Sequence, residues 1–139
     1  MSDPVRACLI IIGNEILSGR THDKNLPYLA EELNKLGIRL AETRVIPDID
    51  ITIIETVNEC RAKFDYVFTT GGIGPTHDDI TADNVAAAFG VGIGPREDAI
   101  AVLASNYPNG RDDINEARMR MARIPEGATL IENPVSIAP

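Results

Sequence analysis

A chain of 139 residues with 44% hydrophobic and 24% charged residues has the size and balance of one water-soluble globular domain. A formal net charge of −8, with no cluster of Lys and Arg among aromatics, argues against a nucleic-acid partner, which needs concentrated positive charge. No apolar run approaches the roughly 20 residues of a membrane helix, so no membrane partner is expected.

The first predicted strand, Ala7 to Ile12, is a continuous apolar run stopped by Gly13. Its preceding residues lack the basic region and cleavage site of a secretory signal, so a cytoplasmic location is expected. Cys8 and Cys60 have no C-x-x-C spacing and read as two buried reduced thiols. Leu26, Leu29, Ala30, Leu33 and Leu36 recur at helical spacing, with Asn25 as cap and Gly37 as stop. A second strand is predicted over Ile38 to Ile46, ending at Pro47-Asp48. Asp50 then caps a helix whose buried stripe is Ile53, Val57, Cys60 and Phe64.

Tyr66 to Thr69 is the third predicted strand. It enters a loop followed by a helix on which Ala82, Val85, Ala86 and Phe89 form the apolar stripe, closed by Gly90. Two further helices are predicted near Arg96 to Asn106 and Asp113 to Ala122, the second opened by the capping-box spacing Asp113-x-x-Glu116. Pro125-Glu126-Gly127 reads as a turn into a short strand, Ala128 to Ile131. Short strands alternating with helices indicate an α/β fold around a mainly parallel sheet, and the absence of a long linker indicates a single domain over 1–139.

In such a sheet, ligands bind beyond the carboxyl ends of the strands. Three segments there are unusual: Gly13-Asn14-Glu15, Pro47-Asp48 and the run from Thr69 to Asp79, which includes Thr70, Gly71, Gly72, Gly74, Pro75, His77 and Asp78. Glycines ahead of a helix N-terminus leave backbone N–H groups open to an anion such as phosphate. Asp48 and Asp79 beside a phosphate would call for an intervening Mg²⁺ or other divalent cation. The same glycines also suit a plain tight turn, with the aspartates favouring the helix dipole, and spacing alone leaves both readings open. The loop is neither a Walker A nor a dinucleotide fingerprint. His77 and His22 read as exposed histidines, and no nucleophile elbow is present.

These segments resemble the molybdopterin-binding (MoCF biosynthesis) domain family, most closely its CinA-like, competence/damage-inducible branch. The resemblance is carried by Gly13 to Gly19, Asn25, Leu33 to Gly37, Asp48, the Thr-Thr-Gly-Gly-x-Gly-Pro-x-x-x-Asp run ending at Asp79, Ile124 to Thr129 and Asn133-Pro134. Ile73, where molybdenum-cofactor enzymes carry a hydroxyl residue, points to the CinA-like branch. The resemblance implies a three-layer α/β/α sandwich whose last strand and helix are missing after Pro139, so that the chain reads as truncated. It implies that Gly71, Gly72 and Gly74 contact the terminal phosphate of molybdopterin, that Asp79 and Asp48 hold Mg²⁺ and serve as catalytic residues, and that Gly13, Asn14, Glu15, Thr70 and Pro75 complete the ligand site.

Three functions follow as expectations: binding of a small phosphorylated ligand, molybdopterin or a nucleotide, with Mg²⁺; a metal-dependent pyrophosphatase acting on ADP-ribose or FAD; or a non-catalytic oligomerisation module. An adenylyltransferase-like reaction on molybdopterin is the other enzymatic possibility. A homo-oligomer, dimer or trimer, is the expected assembly.

Overall fold

A computed structural model describes residues 3–139. The chain divides into two compact units, one ending at Gly71 and the other running from Gly72 to Pro139.

The first unit is built on a parallel sheet of order β2-β1-β3, formed by β1 (Val5–Ile12), β2 (Ile38–Ile46) and β3 (Tyr66–Thr70). Ala7 to Ile12 are all buried, because a central strand covered on both faces has no polar side to show. A short α1 (Asn14–Leu17) follows β1; α2 (Asn25–Lys35) packs on β2, and α3 (Asp50–Lys63) packs on β1 and β3. The stripe Ile53, Val57, Cys60 and Phe64 is buried as its spacing requires, joined by Thr56, whose hydroxyl donates to Thr52 O at 2.7 Å. Complete burial of Leu9, Ile10, Ile12 and Ile53 supplies the core, each side chain contributing roughly 1.5–3 kcal/mol.

Two caps differ from expectation. Asn25 is already the first residue of α2, and Asp23 does the capping, accepting from Asn25 N at 3.3 Å and Leu26 N at 2.9 Å. Asp50 is likewise inside the first turn of α3, after Ile49. Gly37 stops α2 as predicted, in the left-handed region at φ 76°.

The second unit holds α4 (Thr81–Phe89), an antiparallel pair β4 (Ile93–Pro95) and β5 (Arg123–Pro125), α5 (Glu97–Ala104), and α6 (Glu116–Met119), with 3₁₀ turns at Gly110–Asp113 and Arg120–Ala122. Its core is Ala99, Ile100, Leu103, Met121, Ala122 and Ala138. The strand expected at Ala128 to Ile131 is absent. The pairing segment lies just before the Pro125-Glu126-Gly127 turn, and Ile131 is 86% exposed. β4 is not predicted from sequence, because Gly94 and Pro95 are poor strand formers. Asp113 is not a helix cap: its carboxylate accepts from Asn109 N and Nδ2, while Asn115 caps α6 by accepting from Arg118 N at 2.8 Å. Of the predicted apolar stripe of α4, Ala86 is buried but Phe89 is 53% exposed, and Ala88, off that stripe, is buried.

Candidate functional site

Parallel pairing sets Ile12 beside Ile46 and Ile11 beside Thr70, so the carboxyl ends of all three strands share one edge of the first unit. Gly13, Pro47-Asp48 and Gly71 leave the sheet there. Gly13 N donates to Ile46 O at 3.0 Å, tying the first exit to the second. Glu15, half-buried in α1, folds its carboxylate over Gly13, where a Cβ would fall 2.4 Å from Oε1. Asn14 is exposed and Asp48 half-buried. Gly71, at φ 90°, crosses so closely over β1 that a Cβ would sit 2.0 Å from Ile12 O.

Beside Gly71, Thr70 Oγ1 is, among the described residues, the one buried side-chain oxygen or nitrogen with no hydrogen-bond partner. Thr70 and Gly71 line a cavity of about 160 Å³ together with Glu15, His22, Asp23 and Asn25. His22 carried no functional reading from sequence, and only the return of the chain after α1 brings it to this wall.

The glycine loop continues in the second unit. Gly72, at φ 68°, lies against Thr81, whose Oγ1 would be 2.2 Å from a Cβ; Thr81 N donates to Gly72 O at 3.1 Å. Gly74 lies under Asp79, with Oδ2 2.9 Å from where a Cβ would be. That same oxygen accepts from Thr76 N and Thr76 Oγ1, each at 2.8 Å. Burial pushes the Asp79 carboxyl upward, but hydrogen bonds from the Thr76 hydroxyl and the Thr76 and Gly74 amides, with the Arg120 charge, outweigh it and hold the group below its ordinary value. Asp79 is therefore ionised at neutral pH. Pro75 and Ile73 are exposed, and His77 is exposed as read, 3.5 Å from Asp78.

Arg120 Nε donates to Asp79 O at 3.1 Å, and Arg123 Nη2 lies 3.0 Å from Asp83 Oδ1. Ile73, Gly74, Asp79, Asp83, Arg120 and Arg123 line a cavity of about 120 Å³. The sequence did not single out Thr76, Arg120 or Arg123. The Thr76-x-x-Asp79 spacing was the available signal for the first; the arginines come from a distant segment and carried none.

A parallel α/β architecture with a glycine-rich loop at the end of its third strand defines a class of phosphate-compatible ligand-binding domains. Residues 8–139 match the family described as "Probable molybdopterin binding domain". CinA of Thermoplasma acidophilum superposes with a TM-score of 0.89 at 35% identity, over 99% of this chain and 80% of that one. MoaB of Pyrococcus furiosus, a tungsten cofactor synthesising protein, superposes with a TM-score of 0.57 at 26% identity, over 81% and 68% of the two chains. A curated protein of Pyrobaculum calidifontis is 39% identical over 96% of this chain, which spans 51% of that protein. The chain belongs to the molybdopterin-binding (MoCF biosynthesis) domain family and is CinA-like within it. It spans about half the length of the first curated relatives it matches. No helix among the described residues is long and apolar enough to cross a membrane.

Proposed function

We propose that this domain binds a phosphorylated pterin, or a nucleotide, at the loop from Thr69 to Asp79, with Mg²⁺ held by the Asp79 carboxylate. The observation that carries the reading is the unpartnered Thr70 hydroxyl beside Gly71. A buried hydroxyl without a partner costs roughly 1–3 kcal/mol, and a phosphate oxygen is the acceptor it lacks. Asp79 fits a hard cation because Thr76 keeps its carboxylate ionised and oriented. Mg²⁺ would neutralise phosphate charge that the Asp79 carboxylate otherwise repels. Arg120 steadies the loop through Asp79 O and offers a guanidinium beside Gly74.

A thermal-shift panel of pterins and nucleotides with and without Mg²⁺ tests the reading. The expected result is a Mg²⁺-dependent rise in Tm for a phosphorylated ligand, lost in Asp79→Asn. No shift with any member of the panel, checked by calorimetry, overturns it.

That Arg120 and Arg123 line one cavity with Asp79 favours a second reading, a pyrophosphatase acting on a dinucleotide such as ADP-ribose or FAD. Water would add to one phosphorus, the bridging P–O bond would break, and the arginines would offset charge on the leaving phosphate. Product analysis should show two monophosphates, and turnover should vanish in Asp79→Asn with the fold kept. A silent oligomerisation module predicts a defined dimer or trimer by sedimentation with neither ligand nor turnover.

A further inference from the structure

Away from the strand ends, β1, β2 and α3 bring three potential metal donors together. Cys8, Glu42 and Cys60 each offer one donor atom, and these atoms all lie within 4.8 Å of one another. Cys8 and Glu42 are partners across the parallel β1–β2 ladder, and Cys60 comes from the buried stripe of α3. Both thiols are free and fully buried, with Cys8 Sγ donating to Cys60 Sγ at 3.4 Å. We propose that Cys8, Cys60 and Glu42 form a binding site for a thiophilic divalent cation of the zinc class, chemically distinct from the oxygen-ligated Mg²⁺ proposed at Asp79.

The distances suit such an ion. Zinc–sulfur bonds of about 2.3 Å in a tetrahedral shell put two sulfurs about 3.8 Å apart, so these thiols need to separate by only a few tenths of an ångström from 3.4 Å. Glu42 is the least buried of the three, with its side chain 33% exposed, which would give the ion an entry path and a water room to fill the fourth position.

The charges also suit it. Two thiolates and a carboxylate would exceed a divalent cation by one negative charge. Arg44 Nε lies 2.9 Å from Glu42 Oε2 and Lys63 Nζ 3.5 Å from Oε1, so that each carboxylate oxygen already has a cation beside it, and Arg44 also reaches Glu59. These are the outer partners that orient a ligating carboxylate. Binding would break two S–H bonds, form two metal–sulfur bonds and release both protons to solvent. Two thiolates favour zinc or cadmium, whereas Asp79 offers only the oxygens that suit Mg²⁺.

The test is titration of the reduced protein with Cd²⁺, read as thiolate-to-metal charge-transfer absorption, with the Tm in Zn²⁺ as a second readout. A stoichiometric band is expected in the native chain, absent in Cys60→Ala and unchanged by excess Mg²⁺. Glu42→Gln, which leaves the thiols in place, should weaken Cd²⁺ binding about tenfold or more, and Zn²⁺ should raise the Tm of the native chain but not of Cys60→Ala. Absence of the band with both thiols verified as reduced overturns the proposal. So does an undiminished affinity in Glu42→Gln, or an intact mass lighter by two hydrogens, which would make the pair a disulfide.

Discussion

Asp79 Oδ2 accepts two hydrogen bonds from one residue, Thr76, through its amide and its hydroxyl, each at 2.8 Å. This closes the loop on itself and holds the carboxyl below the ordinary aspartate value of 3.8. A carboxyl depressed in the folded state contributes stability that is full above 3.8 and is lost as pH falls through its lower folded value. The Tm of Asp79→Asn should therefore lie below the wild type at neutral pH and meet it at strongly acid pH. The side chain is partly solvated, so the gap should correspond to on the order of 1 kcal/mol or less. Thr76→Val removes one donor and should move the acid midpoint back toward 3.8. Calorimetric scans across acid pH would read both, and a wild-type gap that persists unchanged into strong acid would count against this coupling.

Gly71 and Gly37 share a left-handed backbone but differ in what surrounds them. A Cβ at Gly71 would meet Ile12 O at 2.0 Å, whereas nothing lies within 4 Å of one at Gly37. Gly37→Ala should cost roughly 1 kcal/mol, the backbone penalty alone. Gly71→Ala adds a clash between two strand ends and should cost at least about 2–4 kcal/mol. Urea unfolding of both variants would measure the difference; equal losses would show that the strand-end contact does not matter.

The capping assignments give a third test. Asp23→Ala removes the acceptor for Asn25 N and Leu26 N and should lower stability by about 1 kcal/mol, whereas Asn25→Ala should be nearly neutral. In the second unit, Asn115→Ala should likewise cost about 1 kcal/mol through loss of the bond from Arg118 N. Denaturant midpoints would decide both, and a larger loss at Asn25 than at Asp23 would restore the cap read from spacing.

The same residues explain which parts of the fold were legible. The run from Ala7 to Ile12 reads as a buried strand because it is short, has no polar face and stops at Gly13, and Ile53, Val57, Cys60 and Phe64 repeat at the one period that buries them together. Caps were harder because Asp23 and Asn25, or Asp113 and Asn115, are equally good capping types, and the choice between them is made by where the backbone turns. β5 lies outside the predicted strand Ala128 to Ile131, because a strand of three residues, Arg123–Pro125, is held by its partner β4 rather than by its own composition. At the site, Gly71, Gly72 and Asp79 stood out as residue types, but the donors Thr76 and Arg120 are ordinary residues given a role by position. The orphan state of Thr70 is likewise a property of packing, invisible in a string of letters.

Thr70→Val separates folding from binding at the proposed site. The substitution keeps the branched shape and removes the one buried hydroxyl that lacks a partner among the described residues. Replacing an unsatisfied polar group by an apolar one of similar shape is neutral or stabilising, so the ligand-free variant should unfold at the same temperature as the wild type or higher. Binding should move the other way. A hydrogen bond from this hydroxyl to a charged phosphate oxygen is worth roughly 1.5–3 kcal/mol, so the variant should bind a phosphorylated ligand about 10- to 100-fold more weakly. Paired thermal melts and calorimetric titrations would report both. A ligand-free variant that loses stability would mean the hydroxyl already has a partner in solution, and an unchanged affinity would remove Thr70 from the site.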